Sequence, residues 1–296
     1  MSTPRIGIHL STSGGVFKAA ERANEIGANT FQIFSSSPRT WRPARIDAAH
    51  ARQLHELRNE YDCTPMVIHT SYLMNFCSQS EDVRRKSIAG FRGEVERALA
   101  LEAEYLVLHP GSWRGLTREV GLMLGTESIM EATRGFNLGD SDFRILIENT
   151  AGAEFSLGGS LEQVAELIER LRPVAPVGAC LDTCHCHVAG YDIVSNHGYE
   201  ETLHQIDSTI GLTNVSVWHM NDAKAARGSK LDRHEHIGKG TMGLEPFRRL
   251  LNDERFSHCA FIAETPLDEP DDDARNVRTL RGLAANISAA TPMTRQ

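Results

Sequence analysis

Eight short apolar runs rich in β-branched and aromatic residues recur along the chain, and stretches with helical spacing separate them. The runs are Ile6–Leu10, Thr30–Phe34, Pro65–His69, Tyr105–His109, Phe143–Glu148, Val177–Asp182, Asn214–His219 and Ala260–Glu264. Between them lie Phe17–Ile26, Ala48–Tyr61, Val83–Leu101, Thr117–Phe136, Leu161–Leu171, Tyr199–Ile210 and Leu244–Leu251, with room for one more helix after the last run. Strands alternating with helices imply parallel βαβ units. Eight such units in 296 residues fit a (β/α)8 TIM barrel, which typically takes about 250 residues. The alternative is a doubly wound open sheet, ordinarily of about five or six strands with a Gly-rich phosphate turn after the first. Ser13-Gly14-Gly15 is no such turn. The chain therefore reads as α/β, a single-domain barrel over residues 1–285, with 286–296 as a flexible polar tail. Asp268–Asp273, acidic and interrupted by Pro270, reads as a solvated loop.

Composition narrows the setting. No run approaches the roughly 20 apolar residues that cross a bilayer, and the start MSTPRIGIHL has no signal-peptide layout. The expected location is the cytoplasm. Six cysteines in a chain of this length are too sparse for a disulfide scaffold and are read as reduced thiols. A net charge of -8 argues at first against a polyphosphate partner.

The residue that closes each of the last six runs is His69, His109, Glu148, Asp182, His219 or Glu264. With 39 acids and 13 histidines in 296 residues, six successive hits arise by chance about three times in 100,000, or roughly 0.4% of the time if strand ends are taken as polar-rich. The C-terminal ends of barrel strands converge on one rim. Imidazoles and carboxylates gathered there are costly unless divalent cations relieve them. Mixed nitrogen and oxygen donors suit zinc, with manganese or iron compatible at one position. Two further groups enlarge the set: His185, just after strand six, and Asp232 with His234 in the long loop after strand seven. Alternation in an extended segment puts Asp232 and His234 on one face.

These residues carry a resemblance over nearly the whole chain. HTSYLMN (69–75), HPG (109–111), ENTAG (148–152), CLDTCHCHVAGYD (180–192), HMNDAK (219–224) and DRHEHIGKG (232–240) resemble the successive motifs of the endonuclease IV family of apurinic/apyrimidinic (AP) endonucleases. The resemblance implies three Zn2+: one held by His69, His109 and Glu148, a second by Glu148, Asp182, His219 and Glu264, a third by His185, Asp232 and His234. It further implies hydrolysis of the phosphodiester 5′ to abasic sites in double-stranded DNA, leaving a 3′-hydroxyl, and trimming of blocked 3′ ends. Glu148 and Glu264 are the catalytic carboxylates on this reading, Glu148 bridging two ions and Glu264 orienting or deprotonating the attacking water. Arg39, Tyr72 and Leu73 match the family residues that enter the duplex. Lys224, Arg227 and Arg233 sit in a basic loop suited to its backbone. Four ligand carboxylates under three divalent ions leave the site formally positive, which answers the objection from net charge. No membrane and no obligate protein partner are expected.

The sequence departs from the family at Thr70, at Lys239 and across residues 76–80, which implies tuning of affinity. Cys184, Cys186 and His187 adjoin His185 but cannot all converge on one ion, so His185 alone is assigned. The competing readings are a metal-dependent sugar isomerase on the same barrel, which needs one or two ions and a Lys or His base, and a non-catalytic DNA-binding barrel. The third ligand group disfavours the first, and the completeness of the ligand set disfavours the second.

Overall fold

The computed structural model describes residues 3–139 and 142–285, so the expected tail at 286–296 lies outside the described residues. In chain order the strands are β1 (Arg5–Ile8), β2 (Phe31–Phe34), β3 (Met66–His69), β4 (Tyr105–Leu108), β5 (Arg144–Glu148), β6 (Val177–Asp182), β7 (Val215–His219), β8 (Asp222–Ala223), β9 (His234–Glu235) and β10 (Ala260–Ala263). The helices are α1 (Phe17–Glu25), α2 (Ala48–Glu60), α3 (Glu81–Ala100), α4 (Arg118–Thr133), α5 (Leu161–Leu171), α6 (Thr183–Ala189), α7 (Asn196–Thr209), α8 (Glu245–Asn252) and α9 (Asp272–Ala285). Every run expected as a strand is one, each expected helix is present, and α9 fills the room after the last strand. Two features were not foreseen: α6, and the antiparallel ribbon of β8 with β9.

Eight strands form one parallel sheet in the order β1-β10-β7-β6-β5-β4-β3-β2. Its two ends meet. His9 bridges Gln32 in parallel, the Leu10 N–H donates to the Gln32 carbonyl at 2.7 Å, and the Asn29 N–H donates to the Ile6 carbonyl at 3.1 Å. Closure depends on Gly7, because a Cβ there would stand 1.9 Å from the Thr30 carbonyl oxygen. Only a residue with no side chain lets the two strands approach this closely.

Alternation along each strand decides what faces inward. Val67, Val107, Leu146, Cys180, Val217, Ala260 and Ile262 form a separate cluster that fills the barrel. Their neighbours Ile68, Leu106, Ile145, Leu181, Trp218 and Phe261 pack outward with the helices. Helix α5 shows how that outer layer is built. Leu161, Val164, Leu167, Ile168 and Leu171 are its buried residues, three and four apart, and so make one stripe. Burying each such side chain contributes about 1.5–3 kcal/mol.

The loop between β2 and α2 is fixed from below by an ion pair inside the protein. Arg97 Nη2 lies 3.0 Å from Glu94 Oε1, Arg97 Nε donates to Ser35 Oγ at 2.7 Å, and Ser36 Oγ donates to Glu94 at 3.1 Å. Above it Trp41 packs over Gly90 of α3.

The acidic run at 268–273 differs from expectation in its second half. Asp272 is fully buried and accepts the Asp268 and Glu269 N–H groups at 2.9 and 2.8 Å. Asp273 takes both ends of the Arg22 guanidinium, at 2.9 and 2.8 Å. Carboxylates at a helix start satisfy free N–H groups and favour the dipole, so this half of the run is structural. All six cysteines are unpaired and buried. Among the described residues no helix is long and apolar enough to cross a membrane.

Candidate metal centre

The same two-step alternation that fills the barrel carries the site. His69, His109, Glu148, Asp182, His219 and Glu264 each stand two residues beyond an inward apolar residue: Val67, Val107, Leu146, Cys180, Val217 and Ile262. All six therefore project into the top layer of the barrel interior. Two more inward positions complete that layer, His9 just beyond β1 and Gln32 on β2. Neither was foreseen, because each lies inside its apolar run and not at its end. A Gln with no exposure within an otherwise apolar strand is the signal that would have found it, since buried polar side chains require partners.

Asp182 does two things at once. It ends β6 and caps α6, accepting the His185 N–H at 2.8 Å, and that turn of helix brings His185 back over the site. The ribbon β8–β9 similarly returns Asp232 and His234 to the rim.

Among the described residues, the groups of side chains that could hold a metal ion include three with all members within 4.8 Å of one another: His69, His109 and Glu148; Glu148, Asp182, His219 and Glu264; His185, Asp232 and His234. Glu148 belongs to two of them. Its Oε2 lies 2.9 Å from His69 Nε2 and 3.2 Å from His109 Nε2, and its Oε1 lies 2.9 Å from His219 Nδ1 and 3.5 Å from His185 Nδ1. His234 Nε2 stands 3.3 Å from Asp232 and 3.7 Å from Asp182.

The far side of the imidazoles shows which nitrogen is free. His69 Nδ1 is 2.8 Å from the Thr70 carbonyl, His185 Nδ1 is 2.9 Å from the Asn149 carbonyl, and His234 Nδ1 is 3.1 Å from the Glu264 carbonyl. For His219 the far nitrogen is Nε2, 2.8 Å from Gln32 Oε1. A carbonyl oxygen only accepts, so each of these nitrogens carries the proton. The near nitrogens of neutral rings then present lone pairs to carboxylates. Acceptor facing acceptor at such distances calls for a cation or a second proton between them, and this back-bonded arrangement is the usual support of ligating histidines. Among the described residues His234 Nε2 is buried with no hydrogen-bond donor directed at it, facing the carboxylates of Asp232 and Asp182. These residues fit divalent ions.

Electrostatics give the same picture without ions. Burial pushes the His185 imidazole down, but Asp182, Asp232 and Glu148 more than reverse this and raise it to about 10. His234 is held at about 9 by Asp182 and Asp232 against the same burial. Burial would raise Glu264, yet His219 and its neighbours hold it down at about 2. Glu148, Asp232 and Glu264 are thus held ionised by the imidazoles around them, while His69 and His219 are raised with His185 and His234, and burial lowers His109. His9, by contrast, is driven down to about 4 by burial and is neutral.

Gln32 and two asparagines hold the set in position. Gln32 Nε2 donates to Glu264 Oε1 at 2.6 Å. Asn221 donates through Nδ2 to Asp182 at 2.6 Å and accepts the Glu264 N–H at 2.7 Å. Asn149 Oδ1 accepts the Asp182 N–H at 2.7 Å. Cys180 also comes within ligand range of Glu148 and His219, and Cys184 of Asp182 and His234. Without ions, burial pushes the Cys180 thiol up to about 12.

Above the centre opens a cavity of about 680 Å³ whose walls include Tyr72, Leu73, Asn75, Ser112 and Leu267. Tyr72 is 69% exposed and stands edge-on to Phe34, with ring centroids 5.2 Å apart. Ser71 Oγ donates to the Pro38 carbonyl at 2.8 Å, tying this loop to the exposed Arg39. Lys224 and Arg233 are exposed, with Lys224 Nζ 3.8 Å from Glu235. Arg227 is bound to Asp192 at 2.6 Å, beside a separate polar cavity. His236, adjacent to the ligand loop, lies 3.5 Å from both Asp268 and Asp272 and reaches no ligand group.

The family model described as "Xylose isomerase-like TIM barrel" matches residues 20–284. A protein of Solibacter usitatus named "Probable endonuclease 4" is 45% identical over 284 residues, 95% of this chain and 97% of its own length. One of the same name from Chloroflexus aurantiacus is 39% identical over 281 residues, 95% and 98% of the two chains. The crystal structure of endonuclease IV from Thermus thermophilus superposes with a TM-score of 0.84 at 36% identity, covering 95% of this chain and 98% of that one. Shared fold alone would leave sugar enzymes of this barrel in contention, but identity at this level over the full length does not. The chain belongs to the endonuclease IV family and is a metal-dependent AP endonuclease of DNA repair.

Proposed function

We propose that the chain cleaves double-stranded DNA on the 5′ side of abasic residues through three zinc ions, leaving a 3′-hydroxyl, and that it also trims blocked 3′ ends. The observation that carries this reading is the sharing of Glu148 between two ligand groups with a third group beside them. The ions would be held by His69, His109 and Glu148; by Glu148, Asp182, His219 and Glu264; and by His185, Asp232 and His234, with manganese or iron compatible at one position. Bound there, divalent ions supply Lewis acidity, which lowers the pKa of water from 15.7 towards about 7 and offsets charge on the phosphate.

The chain's own groups do the positioning. Glu148 directs one oxygen to each side, 2.9 Å from His69 and 2.9 Å from His219, and so fixes the separation of the first two ligand groups. Glu264, anchored through Gln32 and the Asn221 amide, faces the cavity as a carboxylate able to accept a hydrogen bond from the attacking water. It is a catalytic residue by orientation, since an acid of pKa about 2 is a weak base near neutral pH. Arg39, Tyr72 and Leu73 would enter the duplex and hold the abasic residue out of the stack. Lys224 and Arg233 would meet the backbone. Arg227 contributes less, being neutralised by Asp192.

A duplex containing one tetrahydrofuran residue tests the reading. The purified protein should nick it on the 5′ side and lose activity to a chelator. Glu148→Gln should lower nicking by at least about a thousandfold with the barrel still folded, because one shared charge serves two ions. Near-normal cleavage by that variant would contradict the assignment.

A further inference from the structure

Tyr72, Leu267 and Leu231 are the three most exposed large apolar side chains among the described residues, at 69%, 66% and 61%. Two of them line one opening, and the third adjoins a residue that does. Tyr72 and Leu267 line the cavity over the metal centre, and Leu231 immediately precedes Asp232, which lines it too. In the closed circuit of strands β3 and β7 are four apart, so Tyr72, after β3, and Leu231, after β7, rise from opposite walls. Leu267 follows β10, the neighbour of β7.

The two leucine-bearing loops are joined to each other. His234 Nδ1 donates to the Glu264 carbonyl at 3.1 Å, and His236 Nε2 lies 3.5 Å from Asp268. Leu231 is also held outward by the backbone before it. Lys230 has a left-handed φ of 59°, a conformation uncommon outside glycine, and its N–H donates to the Val188 carbonyl at 2.9 Å while the Gly228 N–H donates to the His187 carbonyl at 3.1 Å. The chain thus fixes this turn against α6 and still leaves the leucine in water. Lys224, Lys230 and Arg233, all exposed, belong to the same loop. The apolar tip at Leu231, in a loop with three exposed cations, suits a ligand that offers phosphates outside and apolar faces inside, and Leu267 extends the same apolar edge along the neighbouring strand end.

We propose that Leu231 and Leu267 form a second apolar wedge that enters the abasic duplex from the wall opposite Tyr72 and Leu73. The inference rests on the reading above that the substrate is an abasic duplex. Extruding the lesion leaves a gap in one strand and an unpaired base in the other. Tyr72 and Leu73 fill the gap, and apolar side chains from the opposite lip pack against the base that has lost its partner.

The test compares kcat/KM on a fully paired duplex carrying one tetrahydrofuran residue with kcat/KM on the same lesion inside a mismatched bubble, where less stacking must be replaced. Leu231→Ala and Leu267→Ala should each lower the paired-to-bubble ratio roughly five- to tenfold, mainly through KM, as expected for loss of one inserted apolar contact. Methionine at either position should restore it, since that side chain fills the same gap. A double alanine variant whose ratio stays within about twofold of wild type overturns the wedge, and so does an equal loss on both substrates, which marks a structural role. Wild-type protein that cuts neither substrate overturns the underlying reading, a result separable from failure of the leucines alone.

Discussion

Gln32 is the residue whose removal isolates support from ligation. Its Oε1 fixes the proton on His219 Nε2 and its Nε2 holds Glu264, yet it lies outside all three ligand groups proposed above. Replacing such a partner typically costs about 10- to 100-fold in metal affinity. Gln32→Leu should therefore retain its fold by circular dichroism and release zinc to a chelator at about 10- to 100-fold lower chelator activity. Unchanged zinc retention would show that His219 needs no such orientation. Protons give a second residue-scale check. Without ions His185 and His234 titrate near 10 and 9, so both carry a proton at pH 7. Metal loading must expel it, and apparent affinity must rise with pH until about 10, the higher of the two values. Calorimetry of zinc binding in two buffers of different ionisation enthalpy should register proton release at pH 7; buffer-independent heats would contradict the proposed ligation by these rings.

At the scale of strands and helices, β1 and β2 depend on Gly7. Gly7→Val places methyl groups into the Thr30 carbonyl, where a Cβ alone already stands at 1.9 Å. Overpacking of this kind costs about 1–3 kcal/mol or more, and thermal unfolding should fall by several degrees. No change in the melting temperature would mean that the two strands can part without loss. The same pair marks the limit of what sequence made visible. His69, His109, Glu148, Asp182, His219 and Glu264 could be read because each ends an apolar run; His9 and Gln32 share their layer but lie inside the runs. Periodicity found every barrel strand and the helices between them, since long amphipathic stripes such as that of α5 leave a clear pattern. It could not find α6, of seven residues, or the two-residue strands of the ribbon, which are set by the Asp182 cap and by tertiary contact. Asp272 and Asp273 misled for a related reason. A charge run records composition, whereas burial at a helix start depends on what packs over it, here Arg22 and Asn276 with His236.

For the whole molecule, a net charge of -8 and a DNA substrate are reconciled by where charge is concentrated. Four of the carboxylates are drawn into the mouth of the barrel under the proposed ions, leaving that mouth formally positive. Closure of the barrel brings together side chains from six strands, α6 and the ribbon, and no single strand with its following loop and helix supplies a complete ligand group. The architecture and the metal centre are in this sense one feature, and the centre can be examined directly. Anomalous diffraction at the zinc edge from crystals of the zinc-loaded protein should show three peaks at the barrel mouth: one beside His69 and His109, one beside Asp182 and His219, and one between His185 and His234, with Glu148 between the first two. Fewer than three peaks there, or peaks away from these side chains, would contradict the account.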